Sequence, residues 1–172
     1  KYFNIYRFAN KKMCGINGIF NFSNNQIGNQ LSNINLMNEK IRHRGPDGNG
    51  TWYDHDHNIY LGHQRLSIID LSDNARQPMK SNNNSILTYN GEIYNYKKIK
   101  ESINNYNFNS SSDTEVLIAL YDMYKEGCLE YLNGMFSFAI WDDNKKELFL
   151  ARDRIGIKPL YYSIINSIFV FS

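Results

Sequence analysis

Met13-Cys14-Gly15-Ile16-Asn17-Gly18-Ile19-Phe20 is the stretch from which the rest of the chain is read. Residues 14–22 are expected as a short apolar strand with a polar interruption, opened by a cysteine directly behind a methionine. That order suggests a protein start at Met13. Removing Met13 would leave Cys14 with both a thiol and a free α-amine. Such a pair unites nucleophile and base in one residue, because an α-amine titrates near neutrality and can take the thiol proton. A lone cysteine is more often a small buried core residue, so the surrounding sequence has to decide.

Downstream of this strand, Ser32 is expected to cap a helix running to about His43, with Leu31, Ile34, Met37 and Ile41 along one side. The run Gly45-Pro46-Asp47-Gly48-Asn49-Gly50 is dense in turn residues. Strands are expected at 51–54, 59–63, 65–70 and 86–89. Asn95 opens a helix with Tyr96, Ile99 and Ile103 inward, and Asp113 caps another through Val116, Leu117, Leu120 and Tyr124. Strands at 135–141, 147–152, 160–163 and 168–171 complete the list, the last reading as a cut edge at Ser172. The helices do not alternate one by one with strands, which argues against a Rossmann-like parallel sheet. An α+β fold fits better: two mainly antiparallel sheets with helices outside.

The 172 residues suit one domain, and 42% hydrophobic content supports a core, with 13 Tyr and 10 Phe making it aromatic. Asparagine-rich clusters at Ser23-Asn24-Asn25 and Ser81-Asn82-Asn83-Asn84 read as loops. A net charge of +2 gives no global attraction to nucleic acid or membrane, and no apolar run is long enough to span a bilayer. Residues 1–12 differ from the body: they hold Lys1, Arg7, Lys11 and Lys12 and no acid. Removing those four from the 19 basic side chains leaves 15 against 17 acidic. This segment is read as a leader, a cloning remnant or upstream sequence, and residues 13–172 as the domain. Two cysteines, Cys14 and Cys128, make no disulfide framework, so a reducing, cytoplasmic setting is expected.

Four features could act together. Cys14 offers a nucleophile. Asn90-Gly91, expected in a turn after the strand 86–89, offers a side-chain amide and a backbone N–H for a developing oxyanion. Arg65 can clamp a carboxylate with two parallel hydrogen bonds. Asp113 can hold a cationic amine while capping its helix. Each has a plainer reading: core cysteine, hairpin turn, strand-end arginine, helix cap. As a set they supply what hydrolysis of free glutamine requires. Arg44-Gly45-Pro46-Asp47-Gly48 is read as a loop over this site or a helix end with a tight turn. His55 and His57 are read as solvated loop residues with no metal, Cys128 as core, and 142–146 as a hairpin turn.

Several strings carry a family resemblance: Met13-Cys14-Gly15-Ile16, Arg44-Gly45-Pro46-Asp47-Gly48, Arg65-Leu66-Ser67-Ile68-Ile69-Asp70, Asn90-Gly91-Glu92-Ile93-Tyr94-Asn95, Ser112-Asp113-Thr114-Glu115 and Gly156-Ile157-Lys158-Pro159-Leu160-Tyr161-Tyr162. From Met13 to Ser172 the chain resembles the glutaminase domain of glutamine-dependent asparagine synthetase, a class II (N-terminal nucleophile) amidotransferase. The resemblance implies a four-layer α/β/β/α sandwich. It makes Cys14 the nucleophile with its own amine as base, Asn90 and Gly91 the oxyanion hole, Arg65 the carboxylate clamp, and Glu92 and Asp113 the binders of the substrate amine. It implies no cofactor in this chain; ATP and Mg belong to a C-terminal synthetase domain, the expected partner, and a homodimer is left open. Two departures stand out: Cys14 is not terminal as the sequence is written, and no synthetase part or pyrophosphate loop is present. Alternatives are a relative that amidates another carboxylate, such as a sugar acid, and a non-catalytic domain that keeps the fold.

Overall fold

The computed structural model describes residues 13–23, 28–67 and 69–172. The leader expected at 1–12 lies outside the described residues, as do Asn24, Asn25 and Ile68.

The first strand, β1, spans Gly15–Asn21, and its polar interruption has a structural cause. Alternate side chains face opposite ways. Ile16 and Phe20 join the apolar cluster between the sheets, whereas Asn17 and Ile19 turn toward helix α1 (Gln30–Lys40). There the Asn17 amide donates to Asn38 Oδ1 at 2.8 Å. Gly18 is held against the Phe171 ring, where a Cβ would overlap it. Helix α1 is capped by Asn29, whose side chain accepts from Ser32 N–H at 3.1 Å, so Ser32 lies inside the first turn. It ends at Lys40, and residues 41–44 form turns.

Strands β2 (Gly48–Asp54), β3 (Ile59–Arg65), β8 (Tyr162–Ile165) and β9 (Ile168–Phe171) complete an antiparallel five-stranded sheet in the order β2-β3-β1-β9-β8. The second sheet has the order β4-β5-β6-β7. It comprises β4 (Met79–Lys80), β5 (Ser85–Ile93), β6 (Gly134–Asp142) and β7 (Glu147–Arg152). Helices α2 (Tyr96–Ser102) and α3 (Asp113–Tyr124) cover its outer face. Val116, Leu117 and Leu120 pack there on Leu87, Ile93 and Phe138. Ile16, Ile59 and Leu61 meet Ile86, Ala139 and Trp141 between the sheets. Ile34 of α1 packs on Ile19 and Tyr60 outside. The layers therefore run α/β/β/α, as the family resemblance implies. Cys128 is fully buried in the helix-side cluster. Among the described residues no helix is long and apolar enough to cross a membrane.

Three boundaries differ in ways that matter. The strand expected at 65–70 stops at Arg65, because the backbone beyond it is engaged by side chains rather than by a neighbouring strand. Asn90-Gly91-Glu92 is not a turn but the continuation of β5, paired with β6 as far as Ile93. Helix α3 is capped by Ser112, whose hydroxyl accepts from Thr114 N–H, and Asp113 is its first residue.

Among the described residues, two hydrogen bonds cross directly from one sheet to the other. Thr88 Oγ1 donates to Gly62 O at 3.0 Å, and His63 Nε2 meets Tyr89 O at 3.2 Å. A carbonyl only accepts, so His63 donates from Nε2. Burial holds its pKa down at about 3. The unfolded chain therefore binds a proton below about 6.5 that the folded chain refuses, and between pH 6.5 and 5 this costs about 2 kcal/mol of stability. Urea denaturation should show that loss as pH falls through this window, and His63→Gln should flatten it. An unchanged slope in the variant would contradict the assignment.

Candidate active site

The cleft opens at the end of the sandwich where β1 and β3 of one sheet meet β5 of the other. It is a cavity of about 390 Å³, a size suited to a small molecule. Cys14, Arg65, Asn90, Gly91, Glu92 and Asp113 all line it. All six residues singled out from the sequence are thus brought together.

Cys14 precedes β1, and its thiol is clasped by one backbone unit. Leu66 N–H donates to Sγ at 3.3 Å, and the thiol donates to Leu66 O at 3.5 Å. Burial raises the thiol pKa above its usual value; the Leu66 N–H and the charges of Lys158 and Arg65 pull the other way. From the far side, Arg44 Nε donates to Cys14 O at 3.2 Å.

Arg65 ends β3 and directs its guanidinium into the following loop, donating to Asp70 O and Ser72 O. Two of its five donors are used there. Asp70 knits that loop to the one before α3: it accepts from Ser72 N–H at 2.8 Å and from Ser111 N–H at 2.8 Å. The Ser72 bonds, then those of Ser111, hold its carboxyl down at about 2. The Arg44–Gly48 string braces the same corner from behind and does not roof the cleft. Asp47 N–H donates to Arg65 O, Asp47 Oδ2 accepts from Ser67 N–H, and Gly45 sits where a Cβ would overlap the Gln64 backbone.

The free edge of β5 is the most telling part. Phe136, opposite Gly91, sends its N–H to Asp153 Oδ2 and accepts from Asp153 N–H, so it bonds away from β5. Gly91 and Phe136 are therefore a non-hydrogen-bonded pair, and the Gly91 N–H points to the strand's other edge. On that edge Tyr89 N–H goes to Gln77 Oε1 at 2.6 Å and Ile93 N–H goes to Asp113 Oδ2 at 3.0 Å. Between them, β4 pairs only with Ile86 and Leu87, leaving the Gly91 donor facing the cavity. Asn90, buried on the inter-sheet side, lies next to it.

Asp113 is held by Tyr89 OH at 2.8 Å and by Ile93 N–H, both on Oδ2. Burial raises its pKa against these bonds, and Glu92 adds to the rise. Oδ1 has a long contact, 3.5 Å, from the Ser112 hydroxyl. Buried Glu115 anchors the loop behind it, accepting from the N–H groups of Asn109 and Ser110.

Sequence reasoning missed Gln77, Tyr89 and Lys158 as lining residues. Gln77 stands far from any motif, whereas Lys158 lay inside a quoted string and its charge in an apolar run was the available signal. His55 and His57 are not simply solvated: His55 meets Tyr60 OH at 3.0 Å, and His57 pairs with Asp54 at 2.7 Å. With Asp143 the latter two form a grouping whose ligand atoms lie within 4.8 Å of one another. Asp143 is already paired with Lys146, and none of the three lines the cleft.

A four-layer sandwich with a cysteine at the head of an inner strand, opening into a cleft between the sheets, is the architecture of Ntn-hydrolase-like domains. The chain belongs to the glutamine amidotransferase domain family, which matches residues 13–172. It is 47% identical to asparagine synthetase [glutamine-hydrolyzing] 1 of Bacillus subtilis, over 90% of this chain and 24% of the relative. It is 41% identical to a putative asparagine synthetase [glutamine-hydrolyzing] 2 of Methanocaldococcus jannaschii, over 93% of this chain and 34% of the relative. Amidase chry2 of Gibberella zeae is 44% identical over 72% of this chain and 19% of its own length. The chain thus spans at most about a third of these relatives.

Gly91→Ala tests the edge geometry. A Cβ there would overlap Met135 O and crowd the Tyr89 ring and Phe136 Cα. Overpacking of this kind costs about 1–3 kcal/mol. Thermal unfolding should register that loss; an unchanged midpoint would mean that the strand edge is looser than described.

Proposed function

We propose that this domain hydrolyses free glutamine to glutamate and ammonia, with Cys14 as nucleophile after removal of everything before it. The observation that carries the reading is the meeting of Cys14, the open Gly91 N–H, Arg65 and Asp113 in one small cavity. The domain family and the relatives' names support the substrate.

The chemistry follows from the groups present. The substrate's α-carboxylate pairs with Arg65, which keeps donors free beyond those spent on Asp70 and Ser72. Its α-ammonium goes to Asp113 Oδ1 and Glu92. The Cys14 amine takes the thiol proton, and sulfur attacks the side-chain amide carbon. Negative charge then develops on the amide oxygen, where Gly91 N–H and the Asn90 amide donate to it. The C–N bond breaks, the protonated Cys14 amine gives the thiol's proton to the leaving nitrogen, and ammonia departs, leaving a γ-glutamyl thioester. Water, deprotonated by the same amine, cleaves the thioester to glutamate and regenerates the thiol.

With residues 1–13 attached, the Cys14 nitrogen is an amide and cannot act as base. In the longer protein the ammonia would serve amidation of a carboxylate: aspartate in an asparagine synthetase, with ATP and Mg held by the remaining part in the cytoplasm. The likeness to an amidase keeps a different acceptor as the second reading. Residues 1–12 would then be a removable leader.

Cys14-initiated protein should release glutamate from glutamine, and Cys14→Ala should lower kcat by more than about a thousandfold. Lys1-initiated protein should be inactive until trimmed, as N-terminal sequencing beside the assay would establish; full activity of the untrimmed chain would contradict the reading. A thiol-reactive glutamine analogue should label Cys14 and spare buried Cys128. Arg65→Ala should raise KM roughly thirtyfold, corresponding to about 2 kcal/mol of charge-assisted hydrogen bonding.

A further inference from the structure

Lys158 is 4% exposed, an unusual state for a lysine. It lines the same cavity as Cys14. Its ammonium meets Met13 Sδ at 2.8 Å and, among the described residues, makes no other hydrogen bond and no ion pair. A buried cation left with a thioether is costly unless something else benefits from the charge.

The loop that presents Lys158 is built with care. Asp153 accepts from Ile157 N–H at 2.8 Å and Lys158 N–H at 2.9 Å, and also from Phe136 N–H across from Gly91. Arg152 donates to Lys158 O and Gly156 O, packed over Gly156 at φ +74°. One carboxylate thereby ties Lys158 to the strand that flanks Gly91. Removing Met13 would take away this partner of Nζ and leave the ammonium in the cavity that Cys14 also lines.

We propose that Lys158 is a positioning residue for the glutaminase reaction: its buried ammonium holds the Cys14 α-amine in the neutral, proton-accepting form and favours the thiolate. A neighbouring cation disfavours a second positive charge and stabilises a negative one. The inference rests on the nucleophile assignment above.

Other charges face the same point. Arg65, at the end of β3, acts on the thiol in the same direction as Lys158; Arg44, from the turn after α1, donates to Cys14 O and lowers the Lys158 pKa. Glu92 on β5 and Asp113 on α3 oppose them, as does Asp153 in the lysine's own loop, and buried Tyr89 stays protonated. Burial lowers the Lys158 pKa, and the Cys14 thiolate raises it again. Neutralising Lys158 alone leaves all of these in place.

The test uses Cys14-initiated protein as wild type, Lys158→Met, Lys158→Gln and Lys158→Arg. Two profiles are measured against pH: kcat/KM for glutamine hydrolysis and the rate of Cys14 alkylation by iodoacetamide. In the neutral variants both acid limbs should move up by about one pH unit, with roughly tenfold lower values below the midpoint and little change in KM. Lys158→Arg should restore the wild-type profile. Profiles of folded Met or Gln variants that superimpose on wild type would overturn the proposal, as would an arginine variant shifted as far as they are. Turnover by Cys14→Ala would overturn the nucleophile assignment instead, so the two failures are distinguishable.

Discussion

The seam between the two sheets is the constraint on which everything else rests. Thr88 to Gly62 and His63 to Tyr89 fasten β5 directly onto β3, side chain to backbone, beside the apolar cluster between the sheets. One residue past Tyr89 comes Asn90, and two past His63 comes Arg65. The same two bonds therefore set how far the β5 edge slides against the ends of β3 and β1. A one-residue slip would turn the side chains of β5 to the opposite faces. Asn90 would leave the inter-sheet side, and Gly91 would point its N–H into β6 instead of the cleft.

Around that seam the site separates its charges. Arg65 stands on one wall, held by two loop carbonyls; Asp113 stands on the other, held by Tyr89 and Ile93. In the proposed reaction a zwitterionic amino acid would pair with both, leaving its side chain to extend toward sulfur. The loops that carry these walls are braced by acids with no direct part in the proposed chemistry. Asp70 joins the loop after β3 to the serine loop, Glu115 holds that loop's backbone, and Asp153 secures the far end of β6.

Much of this was legible in the sequence, for identifiable reasons. Alternation and helix caps place most elements to within a few residues, the order of strands and helices gives two mainly antiparallel sheets with helices outside, and the family resemblance implies the four layers. Cys14, Arg65, Asn90, Gly91, Glu92 and Asp113 all line the cleft because the strings that carry them sit at strand ends, an exposed strand edge or a helix start. What the sequence could not express is direction. Asn-Gly reads as a hairpin turn, since nothing local says that Phe136 spends its backbone on Asp153 and frees the opposite edge. The apolar run Leu66 to Ile69 reads as a strand, because the thiol and carboxylates that claim its backbone come from elsewhere in the chain. Asp113 reads as a cap because Ser112 beside it is an equally good one. Gln77 and Lys158 reach the cleft through long-range packing that no local pattern records.

The central claim is that the Cys14 sulfur carries the substrate's acyl group. Rapid acid quench of Cys14-initiated protein with isotope-labelled glutamine, followed by mass spectrometry of its peptides, measures this directly. The account predicts a base-labile γ-glutamyl adduct on the peptide that begins with Cys14. Glutamate formation with no adduct on that peptide, or with label on any other residue, would contradict it.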